Sequence, residues 1–348
     1  MFSSVLGESC SDDSELYELK YPECGLCGSG QGDLLFYAKG CDLAGRRWSV
    51  VRCTRCGLVR TEPQVADPVR MEESIFQSYH LIKSEERSKG PKPSRWQTYF
   101  QRRLESRLGE IFPERLRLLR RYAPKREIYE IGCGDGSFLK FLAEREWAVD
   151  GVDLAENAIQ EAERRHGLKL HCGAFQKMRY PSNSFPLVAL YAVLEHVDKP
   201  VLFLKEVHRV LTQDGLLVFL VPNFQSIQSK LFRHDSYLLR LPQHLYHYTP
   251  RTLRTLLEKC SFTIVKIRHN GGVESSQSFK FSAKQAIRSR FARRGDASVH
   301  RLPKQGGSLL PVRTGIIDLI LDPVFQLLAY LEALLGYGGT ITVVASKT

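Results

Sequence analysis

Two hydrophobic periods alternate along the second half of this chain. Short apolar runs at Ile128–Ile131, Val149–Leu154, Leu168–Cys172, Pro186–Ala192, Gly215–Val221, Phe262–Arg268 and Thr340–Ala345 read as strands. Between them lie segments with apolar residues three and four apart, which read as helices. The clearest are Ser137–Trp147, Glu156–His166, Asp198–Leu211 and Pro250–Lys259. Asp198 with Pro200, and Thr249 with Pro250, read as N-caps followed by first-turn prolines. Gly215–Val221 is apolar almost throughout, as a central parallel strand should be. Strands alternating with helices predict an α/β fold, a doubly wound and mostly parallel sheet. Seven strands are expected, six parallel and the last antiparallel.

The first of these strands runs into a glycine turn, Gly132-Cys133-Gly134-Asp135-Gly136, and then a helix. Such a turn admits a ligand close to backbone and aims helix N–H groups at it. The spacing is G-x-G-x-G, with Ser137 where a dinucleotide fingerprint would place its third glycine. Glu130 ends the strand, where a carboxylate repels a pyrophosphate and attracts a cation. Asp153 ends the next strand, where a carboxylate can accept two ribose hydroxyls. A cationic nucleoside, S-adenosylmethionine with its sulfonium and ammonium, satisfies both. The bland alternative is a turn that holds no ligand.

Residues 128–221 resemble class I S-adenosylmethionine-dependent methyltransferases, through Glu130–Gly136 and the later run Val193-Leu194-Glu195-His196-Val197. Bacterial look-alikes include O-methyltransferases of ubiquinone biosynthesis. The resemblance implies that Glu130, Gly132, Cys133, Gly134, Gly136, Asp153, Leu154, Ala174, Phe175 and Tyr191 bind the cofactor. Two positions depart from the family pattern. Ala174 stands where an acidic residue usually meets adenine, and Pro186 stands where Asp is usual. The run Pro242-Gln243-His244-Leu245-Tyr246-His247-Tyr248-Thr249 also follows the family, before its next helix. His196, His244 and His247 are candidate bases or substrate contacts, with Glu195 able to orient His196. The alternative for each histidine is a brace that pins a loop to the sheet. Some look-alikes hold a divalent metal through E-x-x-E-H, but the first position here is Ala192.

Ahead of this unit lie Cys24-Gly25-Leu26-Cys27 and Cys53-Thr54-Arg55-Cys56, with 25 residues between them. Two C-x-x-C knuckles at that separation read as a single structural zinc ion on four thiolates. Each knuckle is followed by glycine, and Leu34–Tyr37 and Trp48–Arg52 read as short strands between them. The expected zinc ribbon is too small to fold without its metal. Cys41 is left over. The alternative is four unrelated cysteines.

The chain has 348 residues, enough for one large or two modest domains. The divisions expected are a loose tail at 1–20, the ribbon at 21–62, a linker and basic helical segment at 63–126, and the methyltransferase domain at 127–348. That domain carries insertions at 224–248 and 270–339. Within the linker, Phe76, Tyr79 and Leu81 are expected to pack on the next domain, and Trp96–Tyr122 to be helical with a break at Pro113. The first twenty residues lack the basic start and apolar centre of a signal peptide. The expected location is cytoplasmic, with the nine cysteines reduced and with peripheral contact at the inner face of a membrane.

Charge narrows the partners. Residues 83–126 hold 14 Lys/Arg against 5 Glu, and residues 280–304 hold 8 against one Asp. The whole chain is +12, so the remainder is slightly acidic. Two basic segments suit phosphate-bearing substrates, an anionic membrane surface or nucleic acid, or else are solvated helix faces. The (D/N)-P-P-(Y/F) run of enzymes that methylate base amino groups is absent. A small-molecule or lipid-linked acceptor is therefore favoured: a quinone, a phenol or a glycolipid precursor. RNA modification and a non-catalytic zinc-ribbon protein are the rivals. Residues 270–307 are rich in Ser, Gln and Arg and read as partly disordered. Leu309–Leu335 is apolar but interrupted by Asp318, Asp322, Pro323 and Glu332, which argues against a membrane span.

Overall fold

A computed structural model describes residues 18–40, 47–67, 71, 111–292 and 316–347. The expectations for the tail, Cys41, most of the 63–110 linker and residues 293–307 lie outside them.

The larger sheet has seven strands, named here with the rest in chain order. The amino-terminal strands are β1 (Leu19–Lys20), β2 (Gly32–Lys39), β3 (Arg47–Cys53), β4 (Val59–Glu62) and β5 (Gln64–Val65). Those that follow are β6 (Glu127–Ile131), β7 (Ala148–Asp153), β8 (His171–Cys172), β9 (Phe185–Tyr191), β10 (Leu211–Pro222), β11 (Tyr246–His247), β12 (Phe262–Asn270) and β13 (Thr340–Lys347). The large sheet runs β12-β13-β10-β9-β6-β7-β8. β13 lies between β12 and β10 and is antiparallel to both, while β10, β9, β6, β7 and β8 pair in parallel. The expected doubly wound sheet is therefore present, with its reversed strand inserted next to the centre.

The helices are α1 (Ile111–Tyr122), α2 (Ser137–Ala143), α3 (Glu156–His166), α4 (Pro200–Val210), α5 (Ile227–Phe232), α6 (Pro250–Lys259), α7 (Val273–Ala292) and α8 (Ile316–Leu334). One face of the sheet packs on α4 and α6 through Val188, Leu190, Phe219, Leu204 and Leu253. The other packs on α1 and α2 through Ala189, Val218, Leu119, Phe138 and Leu139. Each such valine, leucine or phenylalanine, fully buried, contributes about 1.5–3 kcal/mol.

Several local expectations need correcting. Asp198 does not cap α4: Lys199 holds that position and no side chain caps it, although Pro200 opens the helix as expected. Thr249 does cap α6, in a reciprocal capping box with Thr252. Pro113 does not break the helix that contains it. The largest correction is α7, twenty residues of helix where composition suggested disorder. Ser278 and Ser282 bond the carbonyls of Glu274 and Ser278, four residues back, and are buried. Such back-bonding satisfies small hydroxyls inside a packed helix.

The ribbon is not an appendage. Its sheet runs β11-β4-β3-β2, so a strand of the 224–248 insertion completes it. Cys24, Leu26, Cys53 and Leu58 share one core with Leu204, Leu245 and Tyr246. Lys259 Nζ donates to the Leu26 carbonyl at 2.7 Å. Gly25 lies so close to Tyr246 and Pro200 that a Cβ would collide with the phenol.

Candidate active site

The site lies at the carboxyl edge of β6, β7, β9 and β10. Gly132 has φ +75° because the turn doubles back here, and a Cβ would strike Val193. Gly134 also has a positive φ, with open space where a Cβ would point. Most of the turn's own N–H groups are engaged within the protein. Those of Gly132 and Cys133 donate to the Val152 carbonyl, and that of Gly136 to the Cys133 carbonyl. Those of Gly134 and Ser137 donate to Asp153 Oδ2 and Asp135 Oδ1. Cys133 itself is buried among Phe138, Leu139 and Ile128. The turn thus supplies shape, and the carboxylates beside it supply acceptors.

Glu130 is 3% exposed, and its Oε2 finds no hydrogen-bond partner among the described residues. Burial pushes its carboxyl up to about 8, and Asp153 and Asp135 add to this while Arg115 opposes it. A buried acceptor without a donor is costly. A cationic ammonium fits it, and Gly134 leaves room for one to approach. Asp153 accepts from Gly134 and Ala155 through one oxygen each. Each carboxylate oxygen has a second lone pair, so ribose hydroxyls can still bind. Leu154 follows Asp153 at the strand end and is partly exposed. Ala174 precedes a single 3₁₀ turn, Phe175–Lys177, and the Phe175 ring is buried against Tyr129, Tyr180 and Phe203. The carboxylates thus fit S-adenosylmethionine.

Tyr191 is buried at the end of β9, and its hydroxyl has no hydrogen-bond partner among the described residues. Above its ring, 3.8 Å from the centre, lies the guanidinium of Arg115 on α1. Arg115 also pairs with Glu274, the second residue of α7, at 2.9 Å. A cavity of about 40 Å³ opens here, lined by Arg115, Tyr191, Leu220, Arg268, Asn270 and Glu274. Neither Arg115 nor Glu274 stood out in the sequence, because Arg115 lies in a charged stretch that reads as solvated and Glu274 in a Ser/Gln-rich stretch that reads as partly disordered.

The second cluster holds Glu195, His196 and His244. Their ligand atoms all lie within 4.8 Å of one another. The His196 and His244 rings meet edge to face at 4.8 Å. His244 Nδ1 donates to the Leu238 carbonyl at 2.9 Å, so its Nε2 carries the lone pair. That Nε2 is 4.0 Å from Glu195 Oε1. Burial and then the neighbouring His196 hold the His244 imidazole well below its usual range. A proton or a cation between Nε2 and the carboxylate would stabilise both.

His247 does not join them. Thr61 Oγ1 on β4 donates to the His244 carbonyl at 2.6 Å, which uses its single proton. Its oxygen therefore accepts from His247 Nε2 at 3.0 Å. Burial lowers the His247 imidazole to about 3. His247 is thus a brace between the loop and the ribbon.

Cys24, Cys27, Cys53 and Cys56 converge as expected, with the Cys24–Cys56 and Cys27–Cys53 sulfurs each 3.5 Å apart. Four sulfurs about 2.3 Å from a tetrahedral zinc would stand roughly 3.8 Å apart. Both knuckles fold alike, with Gly28 and Gly57 N–H donating to the Cys24 and Cys53 carbonyls. The donor set suits zinc.

Residues 100–267 match the family described as a methyltransferase domain. Over this part of the chain the sequence is similar to class I S-adenosylmethionine-dependent methyltransferases. Among curated relatives, the ubiquinone biosynthesis O-methyltransferase of Idiomarina loihiensis is 31% identical over 123 residues, covering 32% of this chain and 50% of the relative. The malonyl-[acyl-carrier protein] O-methyltransferase of Legionella pneumophila is 29% identical over 123 residues, covering 34% of this chain and 43% of the relative. The chain thus spans half or less of the length of these relatives. A SAM-dependent methyltransferase from Archaeoglobus fulgidus aligns in structure with a TM-score of 0.41 at 20% identity, over 68% of this chain and 94% of its own. The matched methyltransferase domain includes Glu130, Asp153 and Glu195-His196, whereas the ribbon and the α7–α8 hairpin lie outside it.

Proposed function

We propose that this chain transfers a methyl group from S-adenosylmethionine to a hydroxyl oxygen of a small-molecule or lipid-linked acceptor. A quinone, a phenol or a glycolipid precursor has the required chemistry. The observation that carries the reading is the buried Glu130 carboxylate oxygen without a donor, one strand from Asp153 and on the same sheet edge as Glu195 and His196. S-adenosylmethionine supplies an electrophilic methyl group, already activated. Glu130 and Asp153 hold the ammonium and ribose ends. His196 takes the hydroxyl proton, helped by the Glu195 carboxylate beside it. His244 orients His196 from the facing loop. The two relatives named above are both O-methyltransferases, in agreement with oxygen as the acceptor atom.

The four cysteines hold one structural zinc ion in this reading. Zinc fixes the ribbon, the ribbon fixes β11 through β4, and β11 fixes the His244 loop.

The test is incubation of the full chain with labelled methyl donor and fractionated cell extract. Label should enter an organic-soluble fraction and be released by ether or ester cleavage. Label in RNA that is stable to such cleavage would overturn the acceptor. Failure of wild-type protein to bind S-adenosylmethionine or S-adenosylhomocysteine in calorimetry would overturn the enzyme reading.

A further inference from the structure

The α7–α8 hairpin buries an unusual share of polar groups. Ser275, Ser276, Gln277 and Lys280 of α7, and Glu332 of α8, are all buried, beside the apolar Val273, Phe279 and Ala329. They are satisfied there. Lys280 Nζ reaches Asp322 at 2.8 Å, and Glu332 accepts from the Gln228 backbone and side chain. Outward, α8 presents Leu321, Val324, Leu327, Leu328, Leu331 and Leu334, spaced three and four apart on one stripe. Leu327 is 57% and Leu334 65% exposed. A helix made for water turns such a stripe toward its own core. An apolar face this long on a surface marks an interaction site.

Charge selects the occupant. The residues leading into α8 carry the second basic segment, eight Lys/Arg against one Asp over 280–304. Arg288 and Arg290 stand at the end of α7, which runs antiparallel beside α8 through Phe279–Phe325 and Lys280–Asp322. Tyr330 and Tyr337 are exposed near the far end, and tyrosine favours the level of lipid headgroups. Among the described residues no helix is long and apolar enough to cross a membrane. An apolar stripe next to clustered cations, with flanking tyrosines, has the chemistry of a helix lying in the plane of an anionic bilayer.

We infer that α8 docks this protein on an anionic membrane surface, its leucine stripe sunk among the acyl chains and Arg288 and Arg290 of α7 over the headgroups. Gly271 packs against Ala329 and Tyr330, and the cavity beside Tyr191 is bounded by the start of α7. The same hairpin would therefore bring that cavity to the lipid surface. The inference does not depend on methyl transfer, and its test reads none.

The experiment is sedimentation of the full chain with sucrose-loaded vesicles, either phosphatidylcholine alone or mixed equally with phosphatidylglycerol. Wild-type protein should bind the anionic vesicles at least tenfold better at low salt, and lose most of that binding at about 0.5 M salt. Leu327→Glu/Leu331→Glu/Leu334→Glu should abolish binding while the melting temperature holds. A separate Leu331→Trp variant should show blue-shifted emission on anionic vesicles and quenching by brominated acyl chains. No binding at low salt, or equal binding by the triple variant, overturns the inference. So does a concentration-dependent dimer in light scattering that the triple variant abolishes, because the stripe would then cover a second copy.

Discussion

Arg115 reaches Glu274 at 2.9 Å across 159 residues of sequence. The contact ties the helix that leads into the sheet to the hairpin that interrupts its end. Both side chains are mostly but not fully buried, so the pair is worth about 0.5–1 kcal/mol. Glu274→Ala should speed amide exchange in residues 273–292 by roughly two- to fivefold, with β6 and β9 unaffected. Uniform acceleration across the sheet would show instead that the pair supports global stability.

Glu130 gives a pH dependence with a defined sign. Its carboxyl is raised from 4.5 to about 8, chiefly by burial. The folded chain therefore binds this proton more tightly than the unfolded chain. The stability linked to it is complete below pH 4.5 and declines as pH rises toward 8. Cofactor binding should run the other way, because the ammonium prefers the carboxylate. Affinity for S-adenosylmethionine should rise from pH 6 to pH 8, with about one proton released at pH 7. Calorimetry in buffers of different ionisation enthalpy measures that proton. Glu130→Gln should weaken binding by roughly tenfold or more and flatten the profile, as expected on losing a charge-assisted contact of about 1.5–3 kcal/mol. A steep profile in the variant would assign the proton elsewhere.

The three histidines should separate. His196→Gln is expected to lower turnover by about 10²-fold or more with cofactor affinity unchanged, as for loss of a general base. His244→Gln should cost less, since that ring acts through its neighbour. His247→Gln should act mainly on stability. Its imidazole is lowered to about 3 by burial, so the stability it contributes is present above pH 6.5 and is lost as pH falls below that value. Chemical denaturation at pH 8 and pH 5 measures this. If His247→Gln instead lowers turnover of a protein whose stability is unchanged, the assignment of roles is wrong. If all three lose less than about tenfold in turnover, histidine base chemistry is excluded.

Thr61 and the thiolates form one chain of support. Elemental analysis should find one zinc per chain, and Cys53→Ala/Cys56→Ala should lose both the metal and the ribbon fold. Thr61→Val should keep the zinc, cost about 1–3 kcal/mol through the unpaired His244 carbonyl, and lower turnover. Intact turnover in Thr61→Val would show that the ribbon does not position the histidine loop.

The parallel sheet was legible because its strands are apolar runs bounded by glycine, proline and caps, and these signals are local. Even Pro186 agrees with its strand. The β9 ladder to β6 begins at Val188, and its register with β10 shifts before Leu187. The missing N–H therefore interrupts no regular ladder. The helix α7 was not legible. Its serines are buried with their hydroxyls bonded to backbone carbonyls, and composition does not record burial. Arg115 was hidden for the same reason, since nothing local separates it from the solvated arginines around it.

The histidines show a finer limit. His244 and His247 share one motif, and the motif by itself gives both the same candidate roles. Residues three apart in extended chain point to opposite sides, and here one ring meets His196 while the other meets Thr61. That divergence was available from spacing, given that the segment is extended. The partner on β4 was not, because Thr61 lies 186 residues upstream of His247.

The pairing of β4 with β11 also orders events during synthesis. The ribbon leaves the ribosome first, but one edge of its sheet stays bare until Tyr246 and His247 have been made. Closing so long a loop carries an entropic cost that grows only slowly with length. That closure must wait for the central strands that carry β11 into place. An early ribbon therefore exposes β4 as an unpaired edge, the element through which nascent chains associate wrongly. A nascent chain halted before residue 246 should be more prone to aggregate than one halted after 250. Expressing residues 18–67 alone would isolate that vulnerable state rather than a finished module.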